Sequence, residues 1–165
     1  MKVPSRIAAL SAAATLLLAV GADAAEANPT RAEYVSQVEP ICESNTVANK
    51  RILKNVRERA RSQQSRKVKQ AGAQFIQAST VFGKTVSRLA SVPRPPADDA
   101  RLLRWFKQLR IVKTNLRQLG VALREEDKIR AAHEQIRVER ASNAANNVGF
   151  VFEFNYCRLT PSRFT

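Results

Sequence analysis

The densest cluster of side chains that could bind a ligand is basic and lies in the stretch KRILKNVRERARSQQSRKVK, positions 50–69. Nine basic residues accompany a single acidic one, Glu58. On a helix, four of them from Lys50 to Arg61 would form one stripe, because positions three and four apart are neighbours. Such a stripe can bind phosphates or other polyanions and release their counterions. The candidate polyanion-binding residues are Lys50, Lys54, Arg57, Arg61, Arg66, Lys67 and Lys69.

A structural interpretation of the same stretch is also open. Cations are favoured at the C-terminal end of a helix because of the helix dipole. Glu125, Glu126 and Asp127 form a turn between two later helical segments, and in a bundle that turn would lie at the same end. The sequence therefore allows either a polyanion-binding tip or a solvated tip that is partly neutralised within the molecule.

Four asparagines form a second candidate cluster. Asn45 and Asn49 lie early in the chain, and Asn146 and Asn147 lie near its C-terminus. If the first and last helices run antiparallel, Asn49 comes within a turn or two of Asn146 and Asn147. Buried amides need hydrogen-bond partners. The cluster is therefore either an interhelical hydrogen-bonded group or a polar ligand pocket.

The sequence contains no recognisable catalytic or metal-binding constellation. Its one histidine, His133, has no serine, aspartate or second histidine at a spacing that assigns a triad. Two cysteines without a CxxC spacing do not make a zinc site. The consecutive acids of the REED turn would point in different directions and suit a helix N-terminus better than a metal. We therefore predict no enzyme, no metal and no cofactor.

The first 24 residues have the order of a secretory signal peptide. Lys2 and Arg6 precede the apolar run IAALSAAATLLLAVG and the small-x-small site ADA. We predict cleavage after Ala24, with Ala27 as the second site and an uncleaved anchor as the alternative. The run is shorter than the roughly 20 residues of a membrane span, and no later segment is apolar enough to span a bilayer. The predicted organisation is a signal peptide at 1–24, a linker at 25–29 and a helical domain at 30–165, in a secreted, extracytoplasmic protein.

The two cysteines, Cys42 and Cys157, are separated by most of the predicted domain. Disulfides persist outside the cytoplasm, and two cysteines allow one intramolecular pair. Export therefore predicts a Cys42–Cys157 disulfide, with two free thiols or an intermolecular bridge as the alternatives.

The elements that must position these residues are helical. A capping box of Thr30 and Glu33 begins the first helix. Pro40 predicts a kink or a restart within it, and its end is predicted near positions 61–65. The stretch VPRPPADD ends the second helix. Asp98 or Asp99 begins the third helix, where a carboxylate is favoured.

Apolar spacing predicts the buried face of each helix. The second helix would bury Val68, Ala71, Phe75, Ser79, Phe82, Val86 and Leu89. The third has a seam of Leu102, Trp105, Leu109, Val112, Leu116, Leu119 and Leu123, widened by Leu103 and Phe106. The fourth would bury Ile129, Ala132 and Ile136, then Ala141, Ala144, Ala145 and Val148. Short connections predict an all-α, up-down four-helix bundle closed by one disulfide.

The segment GFVFEFNYC at 149–157 fits two conformations. Its aromatic residues alternate, which suits an extended tail laid over the core, whereas a continued helix would place Phe150 and Phe154 on one face. We predict a helix that frays into an extended tail, whose aromatic residues cover the end of the core next to Cys157.

Four stretches carry a resemblance: EYVSQVEPIC, VPRPPADDARL, NAANNVGF and NYCR. Together they resemble a family of small, uncharacterised secreted helical proteins from actinobacteria, over essentially the whole mature chain. The resemblance implies secretion and pairing of the two cysteines. It implies no activity, because none is established for the family, and so no functional residue is carried over.

The expected function follows from these features rather than from a catalytic motif. We expect a secreted helical-bundle protein that binds or supports components of the cell envelope. The alternative is a polyanion-binding module that uses positions 50–69. The partners would be anionic envelope polymers or an envelope protein.

Overall fold

The computed structural model of the chain describes residues 28–160. The predicted signal peptide at 1–24 and positions 25–27 of the predicted linker lie outside this range, as do positions 161–165. The described part forms an all-helical bundle without strands. Its helices are α1 (Arg31–Ile52), α2 (Val56–Ala60), α3 (Ser65–Ala90), α4 (Asp99–Arg124) and α5 (Lys128–Gly149). Two 3₁₀ turns follow α3 and α5, at Pro96–Asp98 and Phe150–Phe152.

The first predicted helix is two helices, so the described chain has five helices and not four. The break falls after Ile52, where Asn55 adopts a left-handed backbone conformation with φ of 60°. Asparagine tolerates this conformation better than most residues. The Gln74 side-chain amide of α3 donates hydrogen bonds to the carbonyls of Ile52 and Lys54, which replaces bonds that a continuous helix would have made.

The start of α1 agrees with the sequence prediction. Both hydrogen bonds of the Thr30–Glu33 capping box are present, and the bonds from Thr30 lower the pKa of the Glu33 carboxyl. The prediction of a restart at Pro40 was wrong, since α1 continues through this residue. The Ser44 hydroxyl donates to the carbonyl of Pro40 one turn earlier.

The predicted faces of α3 and α4 are confirmed. All seven predicted positions of α3 are buried, and so are those of α4 except for the half-buried Leu116. Leu103 was assigned wrongly to this face and is 47% exposed, whereas Phe106 is fully buried. Trp105 and Phe106 therefore serve the core, as their spacing indicated.

The predicted face of α5 was wrong in its first half. Ile129 is 74% exposed and Ile136 is 44% exposed, while Ala131 and Val138 are buried. The buried face of the first half also includes Glu134, a charged residue that apolar spacing could not indicate.

Helices α3 and α4 approach each other closely at Gly72 and Gly120. A Cβ atom on Gly72 would lie 2.5 Å from the carbonyl oxygen of Gly120, and one on Gly120 would lie 2.6 Å from that of Gly72. Real Cβ atoms do not come this near to a carbonyl, so the two backbones touch only because both positions lack a side chain.

Buried apolar residues form two clusters. One surrounds Trp105 and includes both cysteines, and the other includes Leu53, Phe75 and Leu119. Leu116 packs against both clusters. The first cluster lies beside the disulfide, and the second lies beside the basic residues that follow α1.

A partly buried ion pair joins the start of α1 to the turn before α4. Asp98 is only 5% exposed and accepts two hydrogen bonds from the Arg31 guanidinium, at 2.7 and 2.8 Å. Helix α4 begins at Asp99, as the sequence predicted, and Asp98 precedes it without a capping hydrogen bond from its side chain. Arg31 also lies over the ring of Phe152, 5.4 Å from its centroid. The Arg31 side chain thus ties three distant segments together.

This ion pair predicts a specific acid sensitivity. The hydrogen bonds from Arg31 hold the pKa of the Asp98 carboxyl below its usual range. A folded-state pKa below the unfolded value gives stability that is complete above the unfolded pKa, near 4, and is lost as pH falls through the folded pKa. We expect Asp98→Asn to cost about 1–2 kcal/mol at pH 7 and to flatten the loss of stability below pH 4.

Urea denaturation between pH 2 and pH 7 measures both effects. Asp99→Asn is the matched control, because Asp99 pairs with Arg94 on the surface, where exposed ion pairs contribute about 0–1 kcal/mol. If the Asp98 variant lost stability below pH 4 as steeply as the wild type does, the Asp98 carboxylate would not be the cause of the acid sensitivity.

Candidate functional site

The basic residues of positions 50–69 surround the junction of α1, α2 and α3. Those that the sequence placed on one stripe, Lys50, Lys54, Arg57 and Arg61, are all exposed. They do not form a continuous helical stripe, because the break at Asn55 separates the first two from the last two. Of the remaining candidates, Arg66 and Lys69 are exposed and Lys67 is half-buried.

Two shallow grooves run along α3 at this end and meet at Gln70 and Ala73. One groove is bordered by Arg51 and Arg59, and the other by Arg66, Lys69 and Arg124. We call these two grooves, with the five cations that line them, the groove surface. No carboxylate is among its described lining residues. A neutral floor between rows of cations can accept a linear anionic chain, because each cation can meet a separate anionic group.

Three of these five cations were not among the sequence candidates. Arg51 and Arg59 belong to the basic stretch but not to the predicted stripe, and Arg124 comes from the end of α4. Arg124 reaches the groove surface because α3 and α4 touch at Gly72; a Cβ there would lie 2.7 Å from Cγ of Arg124. The sequence offered one signal for this contact, the isolated glycines inside two otherwise regular helices.

The acidic turn neutralises the basic end less than the sequence suggested. Glu126 accepts hydrogen bonds from Ser65, at 2.8 Å, and from Lys69, at 3.0 Å. These bonds, led by the one from Lys69, lower the pKa of the Glu126 carboxyl. Glu125 instead pairs with Arg130 of α5, and Asp127 caps α5 by accepting from the Arg130 backbone N–H. Among the described contacts, one of the three acids therefore reaches the predicted polyanion residues.

The cysteine pair lies at the other end of the bundle. Cys42 and Cys157 are buried at disulfide-bonding distance, with Cα atoms 5.0 Å apart. The chain around Cys157 is also held by Glu39, whose carboxylate accepts backbone hydrogen bonds from Asn155, Tyr156 and Cys157, at 3.0, 2.7 and 3.4 Å. Covalent and charged contacts thus fix the tail to α1.

The four candidate asparagines do not form one hydrogen-bonded group among the described residues. Asn49 donates to Asn45, which also accepts from Thr85 of α3. Asn146 makes two hydrogen bonds of 2.8 Å with the backbone of Leu159 in the tail. Asn147 lines a separate cleft near the cysteine pair. The bond of Asn49 lies within α1, and the one interhelical bond described for these asparagines joins Asn45 to α3 and not to α5.

The remaining candidates carry no visible chemistry. His133 is exposed on α5. Within residues 28–160, no cluster of histidine, cysteine and acidic side chains could hold a metal ion. None of the helices in this range is long and apolar enough to cross a bilayer.

Comparisons with known proteins identify no relative. No protein-family model matches the chain, and no curated protein or solved structure matches it significantly. Function must therefore be argued from the surface of this molecule.

Proposed function

We propose that this protein is exported and binds anionic polymers of the cell envelope at the groove surface. The observation that carries the proposal is the lining of that surface, with five cations around a neutral floor and no described carboxylate. The net charge of +14 adds a long-range attraction for polyanions. Export rests on the N-terminal sequence and on the resemblance to small secreted actinobacterial proteins.

We also propose an up-down order for α1, α3, α4 and α5, with α2 in the first connection. The supporting pairs are Asn45–Thr85 and Ile52–Gln74, then Ser79–Lys113 and Gly72–Gly120, then Trp105–Gly149 and Glu125–Arg130. The first two pairs join α1 to α3, the next two join α3 to α4, and the last two join the α4 region to α5. Within each set of two pairs, residue numbers rise along one helix and fall along its neighbour, as antiparallel helices require. This order would bring the ends of α1 and α4 to the start of α3, where the groove surface lies.

The test compares two variants of equal charge. The groove variant carries Gln at Arg51, Arg66 and Arg124, and the stripe variant carries Gln at Lys50, Lys54 and Arg61. Each loses three positive charges, but only the first alters the groove surface. Binding of inorganic polyphosphate across a salt series measures the number of anionic contacts, since each contact contributes about 0.7–0.9 to the slope of log K against log salt.

We expect the slope to fall by about 2–3 in the groove variant and by less than about 1 in the stripe variant. Glu126→Gln should strengthen binding, because it releases Lys69 from its internal partner. Equal losses in the two triple variants would show that binding follows net charge alone. If only the stripe variant lost polyphosphate binding, the binding site would be the predicted stripe and not the groove surface.

A second candidate function is docking to an envelope protein. Ile129 and Ile136 favour it, because they lie seven positions apart on one face of α5 and remain exposed. If polyphosphate does not bind at physiological salt, the exposed face of α5 becomes the stronger candidate for the functional surface.

A further inference from the structure

A partly enclosed cleft of about 400 Å³ lies where α5 ends and the tail begins. Trp105 of α4, Gly149 and Cys157 are among its lining residues. Trp105 and Arg124 of the groove surface are separated by roughly 28 Å along α4, at about 1.5 Å per residue. The cleft is therefore distinct from the groove surface, and the inference below does not depend on polyanion binding.

One part of the cleft is aromatic. The rings of Trp105 and Phe154 lie 5.0 Å apart between centroids, and Phe154 stacks on Phe152 at 5.2 Å, with planes 8° from parallel. These contacts fix the Phe154 ring. Phe150 also lines the cleft and is 80% exposed, an unusual exposure for so large an apolar side chain. Phe150 and Phe154 offer apolar surface for a ring of a ligand, whereas Trp105 is only 1% exposed and packs against Phe154 from the core.

The other part of the cleft is polar and carries both signs of charge. Asn147, Glu153 and Arg158 line it. Their side chains make no hydrogen bond or ion pair with other described residues, in contrast to Asn146, whose amide is fully used by Leu159. Glu153 has a left-handed backbone conformation, with φ of 53°, because it ends the 3₁₀ turn Phe150–Phe152.

We propose that the cleft binds a small aromatic zwitterion, with free aromatic amino acids as the simplest members of the class. A ring would pack against Phe150 and Phe154, and Trp105 would sense it through its contact with Phe154. The ammonium group matches the Glu153 carboxylate, and the ligand carboxylate matches the Arg158 guanidinium and the Asn147 amide. A cleft of this volume suits a ligand the size of an amino acid or a dipeptide.

The protein contains its own reporter, because Trp105 is the single tryptophan of the chain. We would titrate the purified oxidised protein with L-phenylalanine and follow Trp105 fluorescence. N-acetyl-L-phenylalanine lacks the ammonium group, and 2-phenylethylamine lacks the carboxylate. We expect each to bind about two- to fivefold more weakly, the range of one exposed ion pair. L-leucine keeps both charges without the ring and should bind about two- to tenfold more weakly.

Variants at exposed positions test the location of the site. Phe150→Ala and Arg158→Gln should each weaken L-phenylalanine binding about two- to tenfold with unchanged thermal stability. Ile129→Ala is the matched control, since Ile129 is a comparably exposed apolar residue at the far end of α5, and it should bind as the wild type does. An absence of any fluorescence response would overturn the proposal, as would equal binding by the four compounds or by all the variants.

Discussion

Substituting both cysteines by serine should lower the free energy of unfolding by about 4–5 kcal/mol. The Cys42–Cys157 bond joins residues 115 positions apart, and closing so long a loop removes much of the conformational freedom of the unfolded chain. In the chain-entropy model, a loop of about 100 residues is worth about 4.7 kcal/mol. This is a large share of the 5–15 kcal/mol that stabilises a typical domain.

Urea denaturation of the oxidised protein, the reduced protein and the double serine variant measures this loss. With slopes of about 1–3 kcal/mol per molar urea, the midpoint should fall by about 1.3–5 M. The reduced protein should match the variant, because both have a linear chain. A decrease below about 1 kcal/mol would mean that the entropic account of this crosslink is wrong, and that the contacts of Glu39 with the tail hold the end closed on their own.

The second large effect is expected at the contact between α3 and α4. Gly120→Ala should destabilise the protein by about 2–3 kcal/mol, within the range for overpacked cores. The added methyl group would lie 2.6 Å from the carbonyl oxygen of Gly72 and 2.9 Å from the backbone nitrogen of Ile76. Backbone atoms cannot rotate away as a flexible side chain can, so the two helices would have to separate.

Gly83→Ala provides a control on the same helix as Gly72. A Cβ at Gly83 would meet only the flexible end of Lys113, 3.1 Å away at Cε. Alanine is favoured over glycine inside a helix by about 1 kcal/mol, so this variant should be stabilised by up to about that amount. Thermal and urea denaturation of the two variants would compare them. Similar stability for both would contradict the close backbone contact.

The sequence predicted most reliably the helices whose buried faces consist of large residues. The seam of α4 repeats leucine, valine and tryptophan at spacings of three and four, and this pattern leaves one choice of face. The phase of the first half of α5 could not be read in the same way. Ala131 and Val138 are buried there, but their hydrophobic signal was outweighed by Ile129 and Ile136, which remain in solvent.

The helix break and the groove surface required tertiary information. No glycine or proline marks the break at Asn55, and the bonds that support it come from Gln74 of another helix. The groove surface combines cations from four helices, and the contribution of Arg124 depends on how closely α3 approaches α4. Spacing within one helix therefore predicted that the candidate site is basic, but it did not predict which residues line it.

The division of the core into two clusters has a mechanical consequence. The crosslink and the Arg31–Asp98 pair reinforce only the cluster around Trp105. We therefore expect the second cluster to open more readily than the crosslinked one. The cations of the groove surface lie beside this second cluster, so the surface proposed to bind polyanions is also the part of the bundle expected to adjust its shape most easily.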